Sequence, residues 1–141
     1  MAADLQLLYV GYVSDFIEGT GPALPILGDT AGFLWLGNII ESRWVGKLSL
    51  LSPRVILANI GLNLAYSESH PGLMRSGAEF NWTLSNSGSK MLPGLLRGLA
   101  ASDGPGHAYL DGPLEAAGIQ VVASKGEYDP ATLLPGASWA R

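Results

Sequence analysis

The strongest constraint on the fold is an alternation of apolar and polar residues in two segments, 56–66 and 79–85. In each segment the apolar side chains recur at every second position. A period of two is typical of a strand and fits a helix poorly. The intervening segment is rich in Ser, Gly and Pro, which predicts a loop. Two amphipathic strands joined in this way most simply pair antiparallel, with one apolar face towards a core.

The N-terminal third offers a strand and one ambiguous segment. Residues 5–13 are apolar on both faces, which predicts a strand that is central in a sheet or lies at an interface. For residues 30–45, the pair Gly37-Asn38 suits a hairpin turn and favours two strands. The alternative is a helix from Thr30 to Glu41 capped by Asp29. Two glycines in that span would cost the helix about 1 kcal/mol each relative to alanine, so the hairpin is preferred.

The second half of the chain predicts short helices and one more strand. Pro93 suits the first position of a short helix, a second helix is expected over 111–118, a strand over 119–123, and a brief turn from Asp129. The predicted fold is therefore α+β, one domain over residues 1–141 built on a mainly antiparallel sheet, with short helices in the C-terminal half.

The chain carries few charges for its length. It has 8 basic and 12 acidic residues, 14% of the total, and a net charge of −4, whereas about a quarter of a typical soluble domain is charged. Because charged residues normally cover a free surface, we expect another protein to cover part of this one. The acidic balance predicts no nucleic-acid partner.

The same composition bears on location. The longest uncharged run covers 13 residues, 55–67, and a spanning helix needs about 20 apolar residues, so no membrane span is predicted. The N-terminus lacks the basic start of a signal peptide, and the chain has no cysteine. We expect a cytoplasmic protein, or one within a particle assembled inside a cell.

Catalytic signatures are sparse. We find no phosphate-binding loop, dinucleotide fingerprint or nucleophile elbow, and with two histidines and no cysteine we predict no metal and no cofactor. An enzymatic role stays open through His70 or His107, acting as a base beside Asp111 or Glu79. The sequence favours a non-enzymatic role over this one.

The aromatic residues point to protein contact. Trp35 and Trp82 suit a core, whereas Trp and Arg are enriched at the centres of protein interfaces. The predicted interface residues are Tyr9, Tyr12, Arg43, Trp44 and Trp139.

The leading hypothesis is a structural or assembly subunit that packs against copies of itself or a larger protein scaffold. Virion shell, tail or decoration proteins are one class of this kind. One alternative is a small acidic inhibitor of the immunity type, with an acidic patch from Asp103, Asp111, Glu127 and Asp129. The other is a small hydrolase or isomerase using one of the two histidines.

Overall fold

The computed structural model describes residues 8–13, 22–48, 55–57, 60–110 and 120–126. The described residues form nine strands and two helices, in this order: β1 (Leu8–Val10), β2 (Ala23–Gly28), α1 (Thr30–Glu41), β3 (Gly46–Lys47), β4 (Val55–Leu57), β5 (Gly61–Tyr66), β6 (Gly72–Ser76), β7 (Glu79–Leu84), α2 (Asn86–Ala101), β8 (Gly106–Tyr109) and β9 (Gln120–Lys125). The chain is therefore α+β, as predicted. The helices are not confined to the C-terminal half, because α1 follows the second strand.

The strands form two mixed sheets, and the prediction of a mainly antiparallel sheet is wrong. One sheet has the order β4-β1-β2-β9-β8 and the other β3-β5-β7-β6. In the described part of the chain three strand pairs are parallel, β1 with β4, β2 with β9 and β5 with β7, beside four antiparallel pairs. The inner strands β2 and β9 are buried on both faces, which is typical of parallel pairing.

The two alternating segments are strands, but their pairing differs from the prediction. The connection between β5 and β7 contains a further strand, β6, which returns as a tight hairpin onto β7. As a result β7 runs in the same direction as β5, and the two pair parallel. The first segment is also two strands rather than one, since β4 belongs to one sheet and β5 to the other. The alternation correctly predicted the buried apolar face of these strands, which includes Leu62, Leu64, Phe80 and Trp82. It did not predict the direction in which β5 and β7 pair.

Residues 30–41 form a helix, so the preferred hairpin is wrong and the alternative is confirmed. The side chain of Asp29 caps the helix by accepting a hydrogen bond from Gly32 N–H at 2.7 Å. Phe33, Leu36 and Ile40 lie on the buried face. Gly37 faces α2, where an added Cβ would lie 3.6 Å from the Pro93 carbonyl oxygen. Packing of the two helices therefore offsets the low helix propensity of glycine.

The second helix is longer than predicted and contains Pro93 in its interior rather than at its start. It begins after Ser85, whose hydroxyl accepts a hydrogen bond from Gly88 N–H at 3.0 Å. At its end, the ammonium group of Lys125 donates to the Ala100 and Ser102 carbonyls at 3.0 and 2.7 Å, a favourable position for a cation. An interior proline costs about 3 kcal/mol, so this helix depends on its packing.

One apolar core joins the two helices and both sheets. Buried side chains of α1 and α2 pack in the same cluster as those of β1, β2, β5, β7 and β9. The helices run antiparallel, because Thr30 at the start of α1 donates to the Ala100 carbonyl near the end of α2 at 3.2 Å. No described helix is long and apolar enough to cross a membrane.

Two exposed glycines provide a test of the local backbone. Gly94 lies within α2 and Gly77 at the β6–β7 turn with φ of 63°, and an added Cβ would meet no atom within 4 Å at either site. We expect Gly94→Ala to raise the free energy of unfolding by about 1 kcal/mol through helix propensity. Gly77→Ala should lower it by about 1 kcal/mol, since left-handed backbone is costly for alanine. Urea denaturation checks both, and equal effects would contradict the assignment.

Candidate functional site

The four predicted interface residues that the structure describes do not lie together at one site. Arg43 is exposed, whereas Tyr12 and Trp44 are half-buried and pack against the core. Tyr9 is half-buried on β1, between β2 and β4. Trp139 lies outside the described residues. Of the predicted members that the structure describes, Arg43 is therefore the exposed one.

Arg43 lies in a turn that ends α1 and has a left-handed backbone, with φ of 59°. Its N–H donates to the Ile40 carbonyl at 3.0 Å, and Trp44 N–H donates to the Ile39 carbonyl at 3.3 Å. This is the Schellman arrangement, in which the left-handed position is usually glycine. Arginine at this position strains the backbone. The Arg43 side chain also makes contacts that a glycine could not make.

The Arg43 side chain joins three elements. Its Nη1 donates to Ser89 Oγ at 2.8 Å, and its guanidinium lies 4.8 Å from the centre of the Tyr66 ring. Ser89, in the first turn of α2, is 5% exposed and donates in turn to the Asn86 carbonyl at 3.0 Å. These contacts tie the end of α1 to the start of α2 and to the end of β5. The guanidinium forms no ion pair with any described carboxylate.

Tyr66 places a polar atom against the core without a partner. Its hydroxyl oxygen is buried and makes no hydrogen bond within the described part of the chain. Burial raises the pKa of Tyr66 to about 12, while the nearby charge of Arg43 acts in the opposite direction. The phenol is therefore neutral at physiological pH, and Arg43 contacts the face of its ring.

The residues after Arg43 pack against one another and leave one apolar side chain exposed. Trp44 lies over Gly46, where an added Cβ would be 2.9 Å from the indole ring and where φ is 143°. Between them Val45 is 62% exposed. The turn presents a guanidinium and an isopropyl group side by side, on a backbone fixed by Trp44.

A second arginine covers aromatic rings elsewhere in the same sheet. The guanidinium of Arg75 lies 4.4 Å from the centre of the Tyr12 ring and 5.4 Å from that of Phe80, and the two rings stack at 5.6 Å. Phe80 pairs with Leu62, whereas Tyr66 lies four residues further along β5, a separation of about 13 Å. Tyr12 and Arg43 therefore belong to different clusters.

Sequence reasoning missed the outer face of α2. Five exposed residues spaced four and three apart follow this face, and we call them the α2 stripe: Ser87, Met91, Gly94, Gly98 and Ala101. Leu95 is exposed beside it, and the helix carries two charges outside the stripe, the exposed Lys90 and Arg97, whose side chain is 40% exposed and pairs with Glu41. An added Cβ at either of the two glycines would meet no atom within 4 Å. The buried Leu92, Leu96 and Leu99 already place them on the opposite side.

The arrangement expected for an enzyme does not form among the described residues. His70 is exposed in the loop after β5 and His107 is exposed on β8, where its ring packs against Tyr109. Glu79 instead accepts hydrogen bonds from Lys47 at 3.0 Å and from Asn63 at 3.1 Å. These hydrogen bonds lower the pKa of Glu79. Asp111, the other predicted carboxylate, lies outside the described residues.

The acidic patch proposed for an inhibitor cannot be assembled from the described residues either. Asp103 is exposed just after α2. The remaining members, Asp111, Glu127 and Asp129, lie outside the described residues. The described residues also hold no group of three or more His, Asp or Glu placed to bind a metal ion.

Comparison with known proteins gives no relative for this chain: no protein-family model, no curated protein and no solved structure matches it.

Substitutions at Arg43 separate the backbone from the side chain. Both Arg43→Ala and Arg43→Gly lose the hydrogen bond to Ser89, but only glycine relieves the left-handed strain. We expect the glycine variant to be more stable than the alanine variant by about 1 kcal/mol, the reverse of their order within a helix. Urea denaturation measures the difference. An alanine variant as stable as the glycine variant would show that the turn is not strained.

Removing the Tyr66 hydroxyl tests its burial. Because this atom has no partner, Tyr66→Phe should leave the stability at neutral pH unchanged or raise it by up to about 1 kcal/mol. The ordinary tyrosine pKa is about 10, and the folded value is higher, so the unfolded state loses its proton first. Wild-type stability should therefore fall as pH rises from about 10 towards 12, and the Phe variant should lack this contribution. Denaturation across that pH range checks the sign.

Proposed function

We propose that this protein is a non-enzymatic assembly subunit that binds other protein through the outer face of α2. The observation that carries the proposal is the α2 stripe. A solvent-facing helix normally presents charged and polar side chains opposite its apolar face. In α2 the positions of the stripe are small or apolar and carry no charge, and the charged residues Lys90 and Arg97 lie outside it, the Arg97 side chain being 40% exposed and paired with Glu41.

The exposed apolar side chains support this assignment. Met91 and Leu95 on α2 are 43% and 37% exposed, and Leu34 on α1 is 42% exposed. Scattered apolar residues on a surface are ordinary, but Met91 and Leu95 lie one helical turn apart, and neighbouring exposed apolar side chains are typical of a contact surface. The 14% charge of the chain fits the same interpretation.

The spacing of the stripe suits a helical partner. Steps of four and three residues are those of a coiled-coil seam, in which two helices lie along one another. Gly94 and Gly98 have no side chain beyond Cα, so another backbone can approach closely at these positions. The partner in this proposal is another copy of the chain or a larger scaffold protein.

The proposal predicts how single changes at Gly98 alter the native mass. Gly98→Glu places a charge in the stripe, whereas Gly98→Ala keeps it small and apolar, and both residues favour helix more than glycine does. We expect the Glu variant to weaken association by at least about tenfold, since burying an unpaired carboxylate costs more than 1.4 kcal/mol. The Ala variant should associate like the wild type. Size exclusion with light scattering measures the mass of each.

The result against the proposal is also defined. If the wild type associates and the Glu variant keeps the same mass at every concentration, the α2 stripe is not the contact surface. Circular dichroism of both variants shows whether the helix content is retained.

A further inference from the structure

The sulfur chemistry of this chain is confined to methionine. The sequence has three methionines and no cysteine, so an oxidant meets thioethers and no thiol. Two of the methionines, Met74 and Met91, lie among the described residues, where they are 64% and 43% exposed. Peroxides convert a solvent-exposed methionine to its sulfoxide. Both described methionines are therefore open to oxidation from solution.

Met91 supplies the long side chain of the α2 stripe. The other four members are a serine, an alanine and two glycines. An added Cβ at Gly94, three residues further along the helix, would meet no atom within 4 Å, so the space beside Met91 is open on that side. Met91 therefore contributes more apolar side chain to the stripe than any other member does.

We propose that Met91 is a redox modification site, at which oxidation by a peroxide weakens association through the α2 stripe. The reaction forms a sulfur–oxygen bond and breaks the O–O bond of hydrogen peroxide. The thioether is oxidised by two electrons to the sulfoxide, and the peroxide is reduced to water, which carries away both of its hydrogens. The inference rests on the proposed function, because it concerns the regulation of that same surface.

Oxidation changes the chemistry of the stripe at the position where its apolar contact is largest. A flexible apolar thioether becomes a polar sulfoxide, whose oxygen accepts hydrogen bonds. A protein surface that covers this oxygen must supply a donor or leave it unpaired, and an unpaired buried acceptor is unfavourable. The short side chains at the other positions of the stripe cannot replace the lost apolar contact. Oxidised protein should therefore associate at least about tenfold more weakly than reduced protein.

Met74 provides an internal control on a different surface. It lies on β6 opposite Asn81 of β7, and both residues are exposed. Phe80 and Trp82, the neighbours of Asn81 along β7, face the core that α2 shares. Because successive side chains of a strand point to opposite faces, the sheet separates Met74 from α2. Oxidation at Met74 should therefore leave association through the α2 stripe unchanged.

The first test compares Met74→Leu and Met91→Leu before and after treatment with hydrogen peroxide. Leucine keeps an apolar side chain of similar volume and carries no sulfur. Peroxide should weaken self-association of the Met74→Leu protein at least about tenfold and leave that of the Met91→Leu protein unchanged. Light scattering over a concentration series measures association, and peptide mass spectrometry measures the oxidised fraction of each methionine. Met1 is present in both variants, so its oxidation cannot produce a difference between them.

The second test uses the wild type and the rate of oxidation. Association through the stripe covers Met91 and shields its sulfur from peroxide, so oxidation at this position should slow as the protein concentration rises. The rate at Met74 should stay the same, because the proposed contact does not cover it. Peptide mass spectrometry of samples taken during the reaction gives both rates. A Met91 rate that stays constant while the native mass increases contradicts the inference.

These experiments separate this inference from the proposed function. If Gly98→Glu weakens association but full oxidation of Met91 does not, the redox site is overturned and the α2 contact stands. If oxidation of Met91 weakens association and Gly98→Glu does not, the assignment of the contact to the whole stripe fails and the redox site stands. A wild type that is monomeric at every concentration overturns the redox control of association.

Discussion

The antiparallel packing of α1 on α2 is the contact on which the rest of the structure depends. Gly37 brings the first helix close to the backbone of the second at Pro93, and this packing compensates for a glycine in one helix and a proline in the other. The ends of the pair are then fixed by side chains. Thr30 bonds to the Ala100 carbonyl at one end, and Arg43 bonds to Ser89 at the other. Both helices thereby turn one apolar face to the sheets, and α2 is left with a second face outward.

The Arg43 turn shows how this packing can stabilise a strained backbone. A left-handed arginine is unfavourable in isolation, but here its side chain stacks on Tyr66 and bonds to a buried serine. Tyr66 in turn has a buried hydroxyl without a partner. Two local costs therefore lie next to each other, where α1, α2 and β5 meet. Such outliers persist when the surroundings over-determine them, and these surroundings are the helix pair and the sheet.

The sequence predicted correctly which faces of the strands are buried, but not which strands pair or in which direction. The alternation at 56–66 and 79–85 correctly placed Leu62, Leu64, Phe80 and Trp82 in the core. It could not show that a further strand, β6, lies between β5 and β7 in sequence. The five residues of β6 begin with a glycine and are followed by another, and such a composition also predicts a loop. At residues 30–41 the glycine penalty outweighed the Asp29 cap in the prediction. The packing partner that reverses this balance is more than fifty residues away.

The candidate site was predicted only in part, for a related reason. Composition indicated that the chain has few charges for its length. Arg43 was one of the predicted interface residues, and the structure shows that it is exposed. The α2 stripe was missed because Pro93 was assigned to the start of a helix, although Ser85 carried the capping signal eight residues earlier. Once the helix begins at Asn86, the spacing of Leu92, Leu96 and Leu99 is enough to place Gly94 and Gly98 on the outside.

The sequence by itself therefore determined which residues are apolar on each strand, that both strands and helices are present, and that charge is scarce. The apolar faces and the types of secondary structure can be recognised within short stretches of sequence. The scarcity of charge follows from the composition of the whole chain. Only the tertiary structure decided that the sheets are mixed, that α1 is a helix, and that Arg43, Tyr66 and Ser89 meet. Those outcomes depend on contacts between residues far apart in the chain, whose free energies outweigh local preferences of about 1 kcal/mol. The shortage of charge was visible from the start, but the uncharged row of residues that forms the α2 stripe became visible only when the buried face of that helix was known.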